Sequence, residues 1–293
     1  MYSEKYGTKK GNKSMVNLLK GELYKLRKAK SFYICCMVFA VFIVMVYGMI
    51  IMAEKIQKGE MQNGSYGVTV TEESMAEEGQ EPLAAEVSVL EVLGQMMASF
   101  GIVTTSIFIA IFVVGDYGTG AVKNIVGKGM DRWKIFVVKY SFTVFAAAVL
   151  LLIMTVLTVL AGIIFKGTGI IGAQFFREIA AYAGVQIMLG LALAGIIVFV
   201  SELCRNLSAA ISIGIGILLF SSALTGLLDL GARYFLPDAG FRFSDYWIVD
   251  LISNCPIKDI ESGFLLRAVI MTIVWIALSL AGGIWHFKKA DIK

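Results

Sequence analysis

The sequence predicts an all-α polytopic membrane protein, and three observations carry that expectation. Hydrophobic side chains make up 58% of the 293 residues and charged ones only 16%, with a mean hydropathy of +0.77. A soluble globular chain carries about 25% charge and about 45–50% apolar residues. Only three prolines occur, so long helices can run unbroken. The apolar residues are gathered into six runs, each close to the ~20 residues needed to cross ~30 Å of hydrocarbon. These runs lack the dyad alternation of lipid-facing barrel strands.

In chain order the predicted spans are 32–52, 92–114, 140–165, 179–201, 207–228 and 268–287. The third is longer than a bilayer requires and is expected to tilt or protrude. Residues 202–206 leave room only for a tight hairpin between the fourth and fifth. The first run exceeds the about 7–15 apolar residues of a signal peptide and no A-x-A-like site follows Met52, so it is expected to stay as an anchor. Cys35, Cys36, Cys204 and Cys255 have no metal-site or disulfide spacing and read as small apolar residues.

Orientation follows from lysine and arginine. Residues 1–31 carry Lys5, Lys9, Lys10, Lys13, Lys20, Lys25, Arg27, Lys28 and Lys30, and the connection 115–139 adds Lys123, Lys128, Arg132, Lys134 and Lys139. Arg205, Lys288, Lys289 and Lys293 fall on the same side of the predicted topology. The opposite side collects Glu72, Glu73, Glu77, Glu78, Glu81, Glu86 and Glu91. The expected protein therefore sits in a bacterial plasma membrane with both termini cytoplasmic: an N-terminal segment 1–31, a six-span domain 32–287 and a tail 288–293. Segments 53–91 and 229–267 are then extracellular. The first is acidic and glycine-punctuated; the second is crowded with Tyr234, Phe235, Phe241, Phe243, Tyr246 and Trp247, which suits the headgroup level.

Catalytic chemistry finds no footing here. His286 is the only histidine and falls at the cytoplasmic end of the last predicted span, so there is no second histidine for a metal site and no Ser–His pair at membrane depth. The six apolar windows hold no Asp, Glu, Lys or Arg, which argues against an ion-coupled carrier. The run Gly115-Asp116-Tyr117-Gly118-Thr119-Gly120 imitates a phosphate loop, but Ala121-Val122 follows where Lys-Ser/Thr is needed for phosphate and Mg²⁺. No cofactor is expected in this chain, and uphill movement would draw its energy from another subunit.

Two segments carry more specific information. Over 14–30, Met15, Val16, Leu18, Leu19, Leu23 and Leu26 share one helical face, with Lys20, Lys25, Arg27 and Lys28 on the other; such a helix lies in the headgroup plane. Over 115–129, glycines bracket Val122, Lys123, Ile125 and Val126 before Asp131, a candidate N-cap, and Arg132 open the next span. Two glycine breaks around about two turns of helix make a short, stiff knob.

At these residues the chain resembles the permease subunits of ABC-2 type transporters. The resemblance rests on Leu18-Leu19-Lys20-Gly21-Glu22-Leu23-Tyr24-Lys25-Leu26-Arg27-Lys28 before the first span. It rests also on an acidic residue after the second span followed by Gly120, Lys123-Asn124-Ile125, Gly129, Arg132 and Lys139. It implies an exporter fold with an N-terminal interface helix, carrying Met15, Leu18, Leu19, Leu23, Leu26 and Arg27. It further implies a cytoplasmic coupling helix that docks on an ATPase, assigned to Gly115, Asp116, Tyr117, Gly118, Thr119, Gly120, Val122, Lys123, Ile125, Val126, Gly129 and Arg132. Two ATPase subunits holding ATP and Mg²⁺, and a second permease copy (identical or a paralogue), complete the implied assembly. Phenol-soluble-modulin exporters and lantibiotic-immunity permeases are the similar members, implying an amphipathic or antimicrobial peptide as cargo. A peptide-sensing or immunity module, and an exporter of drugs or lipid-linked glycans, remain the alternatives.

Overall fold

A computed structural model describes residues 18–57, 88–118, 131–166, 172–235, 242–257 and 260–289. Helix α1 occupies 18–28 and gives way at Ala29 to α2, Lys30–Gln57. Helix α3, Val89–Met96, opens on a capping box in which the Ser88 hydroxyl accepts the Glu91 N–H at 3.2 Å and the Glu91 carboxylate accepts the Ser88 N–H at 3.0 Å. A single π turn, Met97–Gly101, joins it to α4, Ile102–Gly118, and together they form the second apolar helix. Helix α5 (Arg132–Lys166) and helix α6 (Ala173–Cys204) follow. Helix α7 is Leu207–Phe235, α8 is Ile248–Ser253 and α9 is Ser262–Lys289.

Six helical stretches of the described residues are long and apolar enough to cross a membrane. Each contains one expected span, and each runs beyond it. The second begins at Val89 and continues to Gly118, past the expected end at 114. The third starts at Arg132 instead of 140, so Lys139 lies inside a helix. The fourth ends at Cys204, which places Glu202 in helix and confines the hairpin to Arg205 and Asn206. Arg205 adopts a left-handed conformation (φ 49°) that stops α6, and the Asn206 side chain then accepts the Ser208 N–H at 3.0 Å to start α7. Helices lengthen past their apolar windows because a charged residue that finds a buried partner no longer has to reach water.

Burial separates an inner pair from an outer ring. About 67% of the apolar window is buried in the second and fourth helices, against 17–33% in the other four. Helix α6 is the hub, packed against α4, α5, α7 and α9. The outer helices instead present Met37, Val41, Ile164, Phe220 and Leu227 outward, the reverse of a water-soluble surface. Close crossings depend on glycine: a Cβ on Gly283 would fall into the fully buried Phe136 ring, and one on Gly162 would lie 2.9 Å from a Val89 methyl.

The two ends of the bundle differ. At the end where α2 begins and α9 finishes, termed proximal here, α1 folds back against α4. At the distal end, α7 runs to Phe235, and Asp229 on it holds residues 243–244 through the Ser244 hydroxyl at 2.6 Å and the Phe243 N–H. Helix α8 is buried along its length rather than lying at the surface: Ile248, Val249, Asp250, Leu251 and Ile252 are all inside. The Gln186 amide holds the Ile252 carbonyl at 3.0 Å, and Thr225 donates to Asp250 at 2.6 Å. For a connection expected to hug or dip into the outer leaflet, Tyr234 and Phe235 are exposed, while Ile248–Ile252 of α8 pack within the protein.

Candidate functional site

The richest chemistry lies at the proximal end, where α1, α4, α5 and α6 converge. Wound at 3.6 residues per turn, α1 presents Leu18, Glu22, Lys25, Leu26 and Ala29 on one face. Glu22 and Leu26 are buried, while Leu19 and Leu23 point away from the bundle. Lys25 reaches the last turns of α4, with its Nζ 2.5 Å from Asp116 Oδ1. The same ammonium donates to the Phe112 carbonyl at 2.8 Å and stands 3.8 Å above that residue's ring centroid. Glu22 Oε2 is 3.9 Å away on the next turn of α1.

Asp116 is shared. Its second oxygen pairs with Lys139 Nζ from α5, and both side chains are buried. One residue on, the Tyr117 hydroxyl donates to the Glu202 carboxylate of α6, and the Arg205 guanidinium lies 5.6 Å from the Tyr117 ring. Glu22, Asp116 and Glu202 thus gather with Lys25, Lys139 and Arg205 where α1, α4, α5 and the end of α6 meet; Glu22 and Asp116 have an ammonium beside them and Glu202 the Tyr117 hydroxyl, as charges removed from water require. The cluster's effect reaches α1. Burial pushes the Glu22 carboxyl above its ordinary range; Lys25 opposes the shift, Asp116 adds to it and Lys139 opposes it. Burial likewise pulls the Lys25 ammonium down, against the charge and hydrogen bond of Asp116.

Residues 18–222 match the family model described as ABC-2 family transporter protein. The chain belongs to the ABC-2 transporter family. That match runs from the first residue of α1 into α7, well over half the chain. No curated protein matches the sequence. Proteins of the ABC-2 family are non-catalytic, multi-span transporter permeases that work with a partner ATPase subunit. Among the described residues of this ABC-2 permease, no group of three His, Cys, Asp or Glu could hold a metal ion.

The residues singled out in the sequence fall in three places. Leu18, Leu19, Leu23, Leu26 and Arg27 lie on α1; Met15 is outside the described residues. Gly115, Asp116, Tyr117 and Gly118, read from sequence as the start of a docking knob, are the last turns of α4, and Asp116 is turned into the bundle. Tyr117 reaches the same cluster, whereas Gly115 and Gly118 are exposed. Thr119, Gly120, Val122, Lys123, Ile125, Val126 and Gly129 lie outside the described residues, and Arg132 is the first residue of α5.

The sequence reading missed the buried Glu22 and its half-buried partner Lys25, and Lys139 and Glu202 as internal charges. A signal existed for the first two: the period that aligns the leucines also brings Glu22 and Lys25 between Leu18 and Leu26. For Lys139 and Glu202 the only signal was a single charge directly abutting an apolar run.

Proposed function

We propose that this chain is one membrane-spanning half of an ATP-driven exporter in the bacterial plasma membrane, with both termini cytoplasmic and two ATPase subunits bound at the proximal end. The single observation that carries the reading is the family match across 18–222. The distribution of lysine and arginine supports the orientation. Residues 115–129 are the coupling segment and 14–29 the interface helix; a second permease copy completes the pathway. The cargo is an amphipathic peptide of the antimicrobial or toxin kind, which suits apolar helices rich in methionine and phenylalanine better than an ion would.

The test is co-purification of the tagged chain with its ATPase. Replacing Val122 and Ile125 together by Asp puts charge into an apolar contact. Loss of one interface anchor costs upwards of ~2 kcal/mol, and an unpaired buried carboxylate adds to it. The ATPase should be lost from the double variant while the chain still inserts. An Asp at Ser74, across the membrane, should leave the complex intact. An ATPase that stays bound to the double variant contradicts the docking assignment.

A further inference from the structure

We infer that α1 is a reversible strap, hinged at Ala29 and held to the bundle by the Lys25–Asp116 ion pair, which separates without leaving a bare buried charge. The hinge is in the backbone. Regular helix stops at residue 28 and resumes at Lys30, and the joint is spanned by short i→i+3 bonds, Ala29 N–H to Leu26 and Phe32 N–H to Ala29, each 3.1 Å. A joint of this tight kind is where a helix pivots most readily.

The contact surface of the strap is thin in apolar anchorage. Leu26 is its one buried leucine among the described residues, while Leu19 and Leu23 are 41% and 55% exposed. Hydrophobic burial alone would hold such a helix weakly. What fixes its register is Lys25 on Asp116.

The distribution of charge makes that contact separable. On the strap, Lys25 has Glu22 one turn away at 3.9 Å. On the bundle, Asp116 has Lys139, and Glu202 accepts from the Tyr117 hydroxyl. Each side therefore keeps a partner for its own carboxylate. The two oxygens of Asp116 serve different cations, Oδ1 for Lys25 and Oδ2 for Lys139. When α1 leaves, Lys25 departs with Glu22, and Asp116 keeps Lys139. Docking also carries an opposing cost: Glu22 Oε2 is buried without a hydrogen bond in the docked state, and water would satisfy it on release. Desolvation and Coulomb attraction nearly cancel for buried pairs of this kind, so a small bias moves the strap between states.

Lys139 then holds a counter-intuitive place. It belongs to the cluster, yet it competes with Lys25 for Asp116 and repels Lys25. A permanent ion-pair network would loosen when Lys139 is removed. The strap should tighten, because Lys25 would no longer share Asp116 with a second ammonium or be repelled by it.

Hydrogen exchange of the full-length chain in nanodiscs, read on peptides covering 18–28, separates the two. Asp116→Asn removes the shared acceptor and should speed exchange over 18–28 tenfold or more. Lys139→Met should slow it at least threefold, with α6 unchanged as the sign of an intact bundle. Lys139→Gln serves as a second variant with the same expected direction. Faster exchange with either Lys139 variant while α6 stays protected, or no change in Asp116→Asn, would overturn the strap. Both measurements use the chain by itself, so they stand or fall independently of any ATPase or cargo.

Discussion

Gly195 on α6 meets Tyr140 on α5 and Ser279 on α9 at the closest three-helix crossing in the bundle, and that crossing makes a quantitative prediction. A methyl at Gly195 would overlap the Tyr140 hydroxyl and lie 2.9 Å from Ser279 Oγ and 3.2 Å from Tyr140 Cζ. The two hydroxyls hydrogen-bond to each other at 2.7 Å, and both residues are buried. Overpacking of this kind costs ~1–3 kcal/mol, and loss of the interhelical bond adds ~0.6 kcal/mol. Alanine in place of glycine within a helix returns ~0.5–1 kcal/mol. Gly195→Ala alone should therefore destabilise the chain by about 0.6–3 kcal/mol. Tyr140→Phe removes the atom that blocks the methyl, leaving Ser279 Oγ, which can rotate away, and the ring Cζ at 3.2 Å, which needs to give by only a few tenths of an ångström. In that background Gly195→Ala should be neutral or stabilising, a coupling of ~0.5–3 kcal/mol, the range for residues in contact. Denaturant titration of the four proteins in bicelles reads the cycle. Equal costs for Gly195→Ala in both backgrounds would refute the packing argument.

Two further predictions concern buried polar groups. Thr225→Val leaves the buried Asp250 carboxylate without its 2.6 Å donor. It should cost ~1–3 kcal/mol, seen as faster hydrogen exchange over 248–253 with the proximal end unaffected. Glu22, facing Lys25 on α1, Asp116 from α4 and Lys139 from α5, has its carboxyl raised chiefly by burial. A raised group favours docking most below the ordinary carboxylate range, near pH 4.5, and that contribution is lost as pH climbs through the raised value. Acidification from neutral pH should therefore protect 18–28, after correction for intrinsic exchange, and Glu22→Gln should remove this increment; an unchanged pH profile in the variant contradicts it.

The spans were legible in the sequence because hydrocarbon demands long apolar runs whatever the tertiary partners are. Their ends were not, because they depend on distant residues. Lys25 and Asp116 are 91 residues apart, Tyr117 and Glu202 85, and only their meeting lets α4 and α6 extend through Asp116 and Glu202. Which side of α1 meets the bundle was not legible for a related reason. A leucine stripe marks the apolar side of a helix but not which part faces protein, and the Glu22–Lys25 edge wins that place by pairing with Asp116. Helix α8 was hidden because its aromatic neighbours resemble a surface belt. Nothing local to Ile248–Ser253 foretells Thr225 and Gln186 waiting inside. The family resemblance, carried by the order of weak motifs along the chain, agrees with the family match over 18–222.

The most direct test of the account is ATP-driven uptake of a fluorescent amphipathic peptide into proteoliposomes that hold this chain with its ATPase facing outward. The account predicts peptide accumulation that requires both proteins and ATP, with no ATP hydrolysis by liposomes holding this chain alone. ATP hydrolysis by the chain alone, or hydrolysis by the complex with no peptide moved, would contradict it.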